Sequence, residues 1–345
     1  MLKVLIVSPT MGSYGGIEAF VLELGRYLNT LPEVSVELCF KLVGQSRIDE
    51  RLNEILQACG LRHSIVSKFS RELLRSIARA DIVHTQNASP DVSVFSRLCG
   101  AKLVQTIHNH LYNRPALRTL SWKLGARLAH IRLYNSEFVQ KSWRMPTGDA
   151  DRVVPTVSSL TYDFAPLAPR QGFVFVSRLI ENKGAETLLE AYAKAGIPHL
   201  DWPLHIVGDG PLRNKIKSLA ATSPGNISLH GFVEENRKRE LIRGSRWLIA
   251  PPHTMEDMGL TPLEARANGI PVIATRDGGL PESAGSHALL CKPGDVNDLA
   301  TAIETAVNMN EAEYEHRSEE GFASLKRHLF PLDFYPELYR QLSVK

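Results

Sequence analysis

The chain lacks a membrane-spanning segment by the usual measure. None of its apolar runs approaches the roughly 20 residues that a spanning helix needs. It is poor in cysteine: Cys39, Cys59, Cys99 and Cys291 are scattered and lack zinc-like spacing, which fits buried thiols in a reducing compartment. It lacks a strong excess of either charge, with a formal net charge of +3, so no general attraction to nucleic acid is indicated. The opening Met-Leu-Lys-Val-Leu-Ile-Val-Ser-Pro lacks the layout of a signal peptide and reads as a strand followed by a turn. What is present is ordinary for a globular protein, 43% hydrophobic and 22% charged, in a length of 345 residues that suffices for two domains. These features predict a cytoplasmic enzyme.

Both halves alternate short apolar strands with amphipathic helices. In the first, strands are predicted at 4–7, 36–40, 65–66, 82–84, 103–107 and 131–134, with the clearest helix at 17–28 and another capped by Ser136. In the second, strands are predicted at 173–176, 204–207, 227–229, 247–250, 271–274 and 288–290. Helices are predicted between them at 185–194, 212–220, 235–243 and 296–307. Such alternation implies right-handed crossovers and parallel sheets. Pro166, Pro169 and Gly172 mark a junction within 164–172, which gives domains of 1–168 and 169–330. Phe334, Tyr335, Leu338, Tyr339 and Leu342 suit an amphipathic helix within 331–345.

The richest stretch runs Glu256-Asp-Met-Gly-Leu-Thr-Pro-Leu-Glu264. Thr261, Pro262 and Glu264 fit the N-cap, N1 and N3 positions of a helix, and Gly269 its stop. The amides of Met258, Gly259 and Leu260 would then face whatever lies over the helix start, a place that attracts phosphate. Glu264 is either the far half of a capping box or a ligand group, and Glu256 either a solvated loop acid or a second one. Elsewhere, Gly15 and Gly16 either make a plain turn or admit a phosphate before a helix, but Gly-x-x-Gly-Gly is not the Gly-x-Gly-x-x-Gly of dinucleotide binders. Arg178 and Lys183 follow an apolar strand, as surface charges or as cations for a diphosphate. Gly208 and Gly210 permit a tight strand-to-helix turn, and Phe232 either packs or helps frame a ligand. His108 and His110, one residue apart after a strand, are either structural strand-end histidines or ligand groups, and they lack the Cys or carboxylate cluster a metal site would need.

In order and spacing these motifs resemble the retaining glycosyltransferases of family 4. The carrying features are the paired glutamates Glu256 and Glu264, Arg178-Leu-x-x-x-Lys183-Gly, the Gly208-x-Gly210-Pro turn, and Gly278-Gly-x-Pro-Glu282. The resemblance covers most of 172–295 and is sparse in the first half, where it rests on the Gly15-Gly16 loop and His108. Pro251-Pro252 departs from it, many relatives having Pro-Ser there.

The resemblance implies the GT-B fold, α/β with two doubly wound Rossmann-like domains facing a central cleft. The first would bind the acceptor and receive the C-terminal helix; the second would bind the donor. Glu264 would hold the ribose hydroxyls, Glu256 the transferred sugar, Arg178 and Lys183 the donor phosphates, and His108 would lie beside the sugar. Gly15, Gly16, Gly208, Gly210, Phe232, Met258, Gly259 and Leu260 complete the donor-binding set.

The expected function is retaining transfer of a hexose-type sugar from a nucleotide diphosphate sugar, with no metal and no other cofactor. The acceptor is a saccharide or a polyprenyl-diphosphate-linked saccharide in bacterial surface polysaccharide or glycolipid synthesis. The alternatives are a nucleotide-sugar epimerase of the same fold and a noncatalytic nucleotide-sugar-binding subunit. Finally, residues 111–144 carry Arg114, Arg118, Lys123, Arg127, Arg132, Lys141 and Arg144 against the single acid Glu137, interleaved with leucines and aromatics. They form either a core helix with a solvated basic face or a peripheral contact with anionic membrane at its inner face.

Overall fold

The computed structural model describes residues 1–44, 47–146, 148, 151–156, 170–325 and 330–344. The chain divides into two compact units, Met1–Ser159 with Leu329–Lys345, and Leu160–His328. The proline-rich junction read at 164–172 lies, for 164–169, outside the described residues, as does the 168/169 boundary.

The first unit alternates β1 (Leu2–Thr10), α1 (Gly16–Asn29), β2 (Val34–Leu42), α2 (Glu50–Ala58), β3 (His63–Val66), α3 (Arg71–Ala78) and β4 (Ile82–Gln86). It continues through α4 (Pro90–Leu98), β5 (Lys102–Ile107), α5 (Ala116–Arg127), β6 (Ile131–Tyr134), α6 (Glu137–Trp143) and the two-residue β7 (Arg152–Val153). All its strand pairs are parallel, in the order β3-β2-β1-β4-β5-β6-β7. β1 shows why the sheet is two-sided. Val4 and Ile6 join Phe20 and Leu24 of α1 on one face, while Leu5 and Val7 join Leu73, Ile77 and Val92 of α3 and α4 on the other.

The second unit holds β8 (Phe173–Val176), α7 (Ala185–Lys194), β9 (Leu204–Val207), α8 (Arg213–Thr222), β10 (Ile227–Gly231), α9 (Glu235–Gly244) and β11 (Trp247–Ala250). After these come α10 (Leu260–Ala267), β12 (Val272–Thr275), α11 (Leu280–Ala284), β13 (Leu289–Cys291), α12 (Val296–Val307) and α13 (Glu311–Leu325). Its parallel sheet runs β10-β9-β8-β11-β12-β13. α14 (Phe334–Ser343) then packs in the first unit, where Tyr335, Leu338 and Tyr339 enter the core beside Phe20.

Several elements match the sequence pattern to the residue, among them β8, β9, β11, α7 and α12. β12 begins at Val272 rather than Pro271, whose missing N–H suits the edge of a ladder. β7 and α13 carry too little pattern to be read: β7 is two residues long, and α13 buries Tyr314, Ser318, Gly321 and Leu325, a helical stripe half made of small residues. The cysteines are not uniformly buried as expected. Cys39 and Cys291 are, but Cys59 is half-buried and Cys99 exposed, because both sit at helix C-caps that reach the surface.

Candidate functional site

In each sheet the strand order reverses once, between β8 and β11 in the second unit and between β1 and β4 in the first. Ligands of open α/β sheets bind beyond the carboxyl ends of strands at such a reversal. In the second unit the loop after β8 carries Arg178 and Lys183, and the loop after β11 carries Glu256 and leads into α10. Arg178 is exposed. Lys183 and Glu256, assigned to separate duties from the sequence, form one ion pair with Nζ and Oε1 2.6 Å apart, each about one-fifth exposed.

Glycines set this geometry. Gly184, at φ +75°, lies so close to Pro251 that a Cβ would fall 1.9 Å from its carbonyl oxygen. The β8 loop is thereby pressed onto the end of β11. Gly208 and Gly210 also take positive φ, and a Cβ on either would strike the carbonyls of Ser177 and Leu179, at 1.8 and 2.4 Å. Their demonstrated role is to admit the backbone on either side of Arg178. Gly278 and Gly279 do the same for the other loop: the Gly279 amide donates to the Glu256 carbonyl at 2.7 Å.

The start of α10 differs from the sequence reading. Gly259, at φ +92°, is the N-cap, so Leu260 is the first helical residue and Thr261 the second. Glu264 is therefore a full turn into the helix, too far along for the capping box, and it turns elsewhere. Its Oε1 accepts from Lys238 Nζ of α9 at 3.0 Å, and Lys238 also reaches Glu235 at 3.0 Å. Its Oε2 is sealed from solvent without a hydrogen-bond partner among the described residues, although the side chain as a whole is 23% exposed. Desolvation raises the Glu264 carboxyl above its ordinary range, with the Lys238 charge opposing it. Burial works to lower the Lys238 ammonium, but Glu264 and Glu235 outweigh it and hold the group above its usual value. Met258 is buried, and Phe232, at the end of β10, is 55% exposed, which removes simple core packing as its role. Lys238 was missed from sequence because it stands in a run of charges that reads as a solvated helix face.

In the first unit the loop after β1 leads through Gly15, an extended N-cap, into Gly16, the first residue of α1. The positive φ and the close approach belong instead to Gly12, where a Cβ would meet the Arg47 carbonyl at 1.8 Å. His108 follows β5 and is buried; its Nε2 lies 2.9 Å from Gln86 Oε1 and its Nδ1 3.3 Å from Thr156 Oγ1. With a carbonyl facing Nε2, that nitrogen carries the proton and Nδ1 accepts from Thr156. Burial pulls His108 down to about 4, so it is neutral near pH 7. Behind it His84, also buried, bonds Tyr339 Oη of α14 and Thr106 Oγ1, each at 2.7 Å. Gln86, Thr156 and His84 carried no motif in the sequence; partners of this kind become visible only when strands are neighbours. His110 packs with Tyr112 and Phe138, and no group of three or more His, Cys, Asp or Glu placed to hold a metal occurs among the described residues.

Two family models match the chain. The Glycosyltransferase Family 4 model matches residues 14–156 and the group 1 glycosyl transferase model residues 168–322. A D-inositol 3-phosphate glycosyltransferase of Corynebacterium kroppenstedtii is 30% identical over 184 residues, 48% of this chain and 40% of that protein. The matched region thus spans less than half of that relative's length. A glycosyltransferase of Rickettsia africae superposes with a TM-score of 0.79 at 21% identity over 99% of this chain and 98% of the other. An Anabaena protein crystallised in complex with UDP superposes with a TM-score of 0.80 at 16% identity over the whole of both chains. With its two parallel-sheet Rossmann-like units and both family models matched, the chain belongs to the group 1, GT4-type glycosyltransferases of GT-B fold.

Proposed function

We propose that the chain transfers a hexose-type sugar, with retention of anomeric configuration, from a nucleotide diphosphate sugar to a saccharide or lipid-linked saccharide in bacterial surface polysaccharide or glycolipid synthesis. The observation that carries the proposal is the reversal point of the second sheet. There two adjacent loops bring Arg178, Lys183 and Glu256 to the carboxyl ends of β8 and β11, ahead of the first turn of α10. The donor phosphates would take Arg178, Lys183 and the amides around Gly259, leaving Glu256 to exchange its lysine for sugar hydroxyls. Fixed cations and amides of this kind stabilise the charge that grows on a departing diphosphate, so no metal and no other cofactor is needed in this scheme. Glu264 would receive the ribose hydroxyls on its Oε2, which has no hydrogen-bond partner among the described residues.

In the first unit His108 is neutral and held by Gln86 and Thr156. It would offer hydrogen bonding beside the sugar and not a charge. Retention then follows from same-face attack, with the leaving phosphate taking the acceptor's proton; Glu256 is not given the role of nucleophile. A lipid-linked acceptor would bring the enzyme to the inner face of the cell membrane.

The test is a mass-spectrometric screen of uridine and guanosine diphosphate sugars, with soluble and polyprenyl-diphosphate-linked saccharides, in the presence of a chelator. Glycosylated acceptor with retained anomeric configuration supports the proposal. An altered free sugar nucleotide without acceptor would make the protein an epimerase, and tight donor binding without turnover a binding subunit. Activity abolished by the chelator and restored by magnesium would overturn the metal-free scheme.

A further inference from the structure

Helix α5 is built inside out for a helix of a crossover unit. It buries only Gly125 and Ala126, while Leu117, Leu120 and Leu124 are 81, 53 and 50% exposed. Spacings of three and four place these leucines in one stripe along the helix. The helix is nonetheless seated firmly. A Cβ on Gly125 would lie 3.2 Å from Pro90 Cα of α4, and Trp122 stacks on Trp143 with ring centroids 6.5 Å apart. Arg118 lies over the Trp122 ring at 4.6 Å. The exposed leucines are therefore a property of a packed helix and not of a frayed one.

The topology gives this stripe its setting. The steps β3 to β4, β4 to β5 and β5 to β6 all run in one direction across the sheet, opposite to β1 to β2 to β3. Right-handed crossovers then put α3, α4 and α5 on one face, with α1 and α2 on the other, where α14 also packs. The α3–α5 face has further exposed apolar positions at Leu74 of α3 and at Val94 and Leu98 of α4. It is also the basic part of the chain. Residues 68–127 hold ten Lys and Arg against three acids, an excess of seven, where the whole chain carries +3. One of the three acids, Asp91, is buried in an ion pair with Lys41. Of the cations read earlier in 111–144, Arg132 is held by Asp151 and Lys141 by Glu137, so the exposed positive charge on α5 and its approach is that of Arg114, Arg118 and Arg127.

We propose that the α3–α4–α5 face docks on an anionic lipid bilayer, with Leu117, Leu120 and Leu124 set into the headgroup–acyl boundary and the arginines of α5 level with the phosphates. Basic side chains beside an exposed aliphatic stripe match both layers of such a surface: anionic headgroups outside, hydrocarbon beneath. A nucleic acid would use the arginines but leave the leucines in water. The docking deepens the transferase reading, since a lipid-linked acceptor is met at such a surface.

The experiment is cosedimentation of the full chain with sucrose-loaded vesicles of phosphatidylcholine alone, or of phosphatidylcholine and phosphatidylglycerol in equal parts, at low and high salt. The chain is expected to bind the anionic vesicles at least about tenfold more tightly, with the advantage shrinking in high salt. L117S/L120S/L124S should lose about tenfold or more of that binding, and R114E/R118E should lose the preference for anionic lipid. Because all five positions are on the surface, a urea-unfolding midpoint and hydrogen exchange of first-unit core amides like those of the wild type serve as the check on folding in every preparation. Equal partition of the wild type into both vesicle types, leucine variants that bind as the wild type does, or binding to duplex nucleic acid in preference to vesicles would each overturn the docking. A wild-type chain that fails to bind vesicles while it turns over donor would refute the docking alone. Vesicle binding without donor turnover would refute the transferase reading alone.

Discussion

His108 in the first unit and Glu264 in the second are both enclosed, yet their surroundings treat them in opposite ways. His108 has a protein partner at each ring nitrogen, and its neighbour His84 is likewise bonded on both sides. Glu264 has one oxygen on Lys238 and the other sealed without a partner among the described residues. A buried polar group normally finds its hydrogen bonds, so an unfilled acceptor leaves a position that a ligand can complete, whereas a filled network holds a group still. The electrostatics follow the same division. Burial keeps the two histidines neutral by lowering them to about 4 and about 3, and burial raises the carboxyl of Glu264.

Acid should separate the two units most strongly. A histidine whose folded value lies below its unfolded one takes protons first in the unfolded chain. Its contribution is therefore complete above about pH 6.5 and is lost as pH falls towards the folded value. For His84 and His108 together the loss between pH 6.5 and 5 is about 3 kcal/mol, the slope for each rising from half of about 1.4 kcal/mol per pH unit at pH 6.5 towards that full value below it. Glu264 works with the opposite sign: its raised carboxyl takes a proton first in the folded state, so its contribution falls as pH rises through the ordinary carboxylate range. Urea unfolding at pH 7 and pH 5, followed by hydrogen exchange of core amides in β4 and β12, would show the first unit losing more. Equal losses in the two would break the comparison.

Next in size is the pair of cations. Arg178→Ala and Lys183→Ala should each lower kcat by about 100-fold, the scale of removing one preorganised charge from a leaving group. Lys183→Ala also strips Glu256 of its partner, so Lys183→Arg should recover part of the loss where Arg178→Lys recovers less. Turnover within twofold of wild type in a folded Arg178→Ala protein would return that arginine to the surface charges.

Glu264→Gln should weaken nucleotide diphosphate binding by about tenfold, because a charge-assisted acceptor is replaced by an amide. Calorimetry reads this directly, and unchanged affinity would mean that the open oxygen of Glu264 is not a ligand site. The smallest effect is expected from Tyr339→Phe, which removes the partner of His84 Nδ1 and should cost about 1 kcal/mol of first-unit stability while leaving nucleotide affinity untouched. A change in nucleotide affinity in that variant would show that the two units are not independent in the way the comparison assumes.

Legibility divides along the same line. The second unit announced itself: its β8 and β11 are continuous apolar runs, and its Arg178, Lys183, Glu256 and Glu264 stand in linear motifs with fixed spacing. The first unit's alternation was readable, but of its candidate site only His108 and the Gly15-Gly16 loop were. Gln86, Thr156, His84 and Tyr339 are separated by up to 255 positions and meet only because β4, β5 and α14 are neighbours in space. Lys238 was hidden for a different reason, since a lysine beside other charges on a helix looks solvated until the helix is placed. The helix start at 259–264 was misread by local rules, because Gly259 adopts a left-handed φ that a capping pattern does not encode.

By itself the sequence determined the alternation of strand and helix, the two parallel sheets and the family, and it singled out the loops proposed to carry the chemistry. These follow from apolar periodicity, glycine placement and local spacing, all of which act between residues near in the chain. The tertiary structure decided the rest: that Lys183 and Glu256 are one ion pair, that Glu264 leans on Lys238 with an oxygen to spare, that His108 is held neutral, and that α5 turns its leucines outward. Each of these depends on which side chains are taken out of water together, and burial of that kind is set by packing between distant segments.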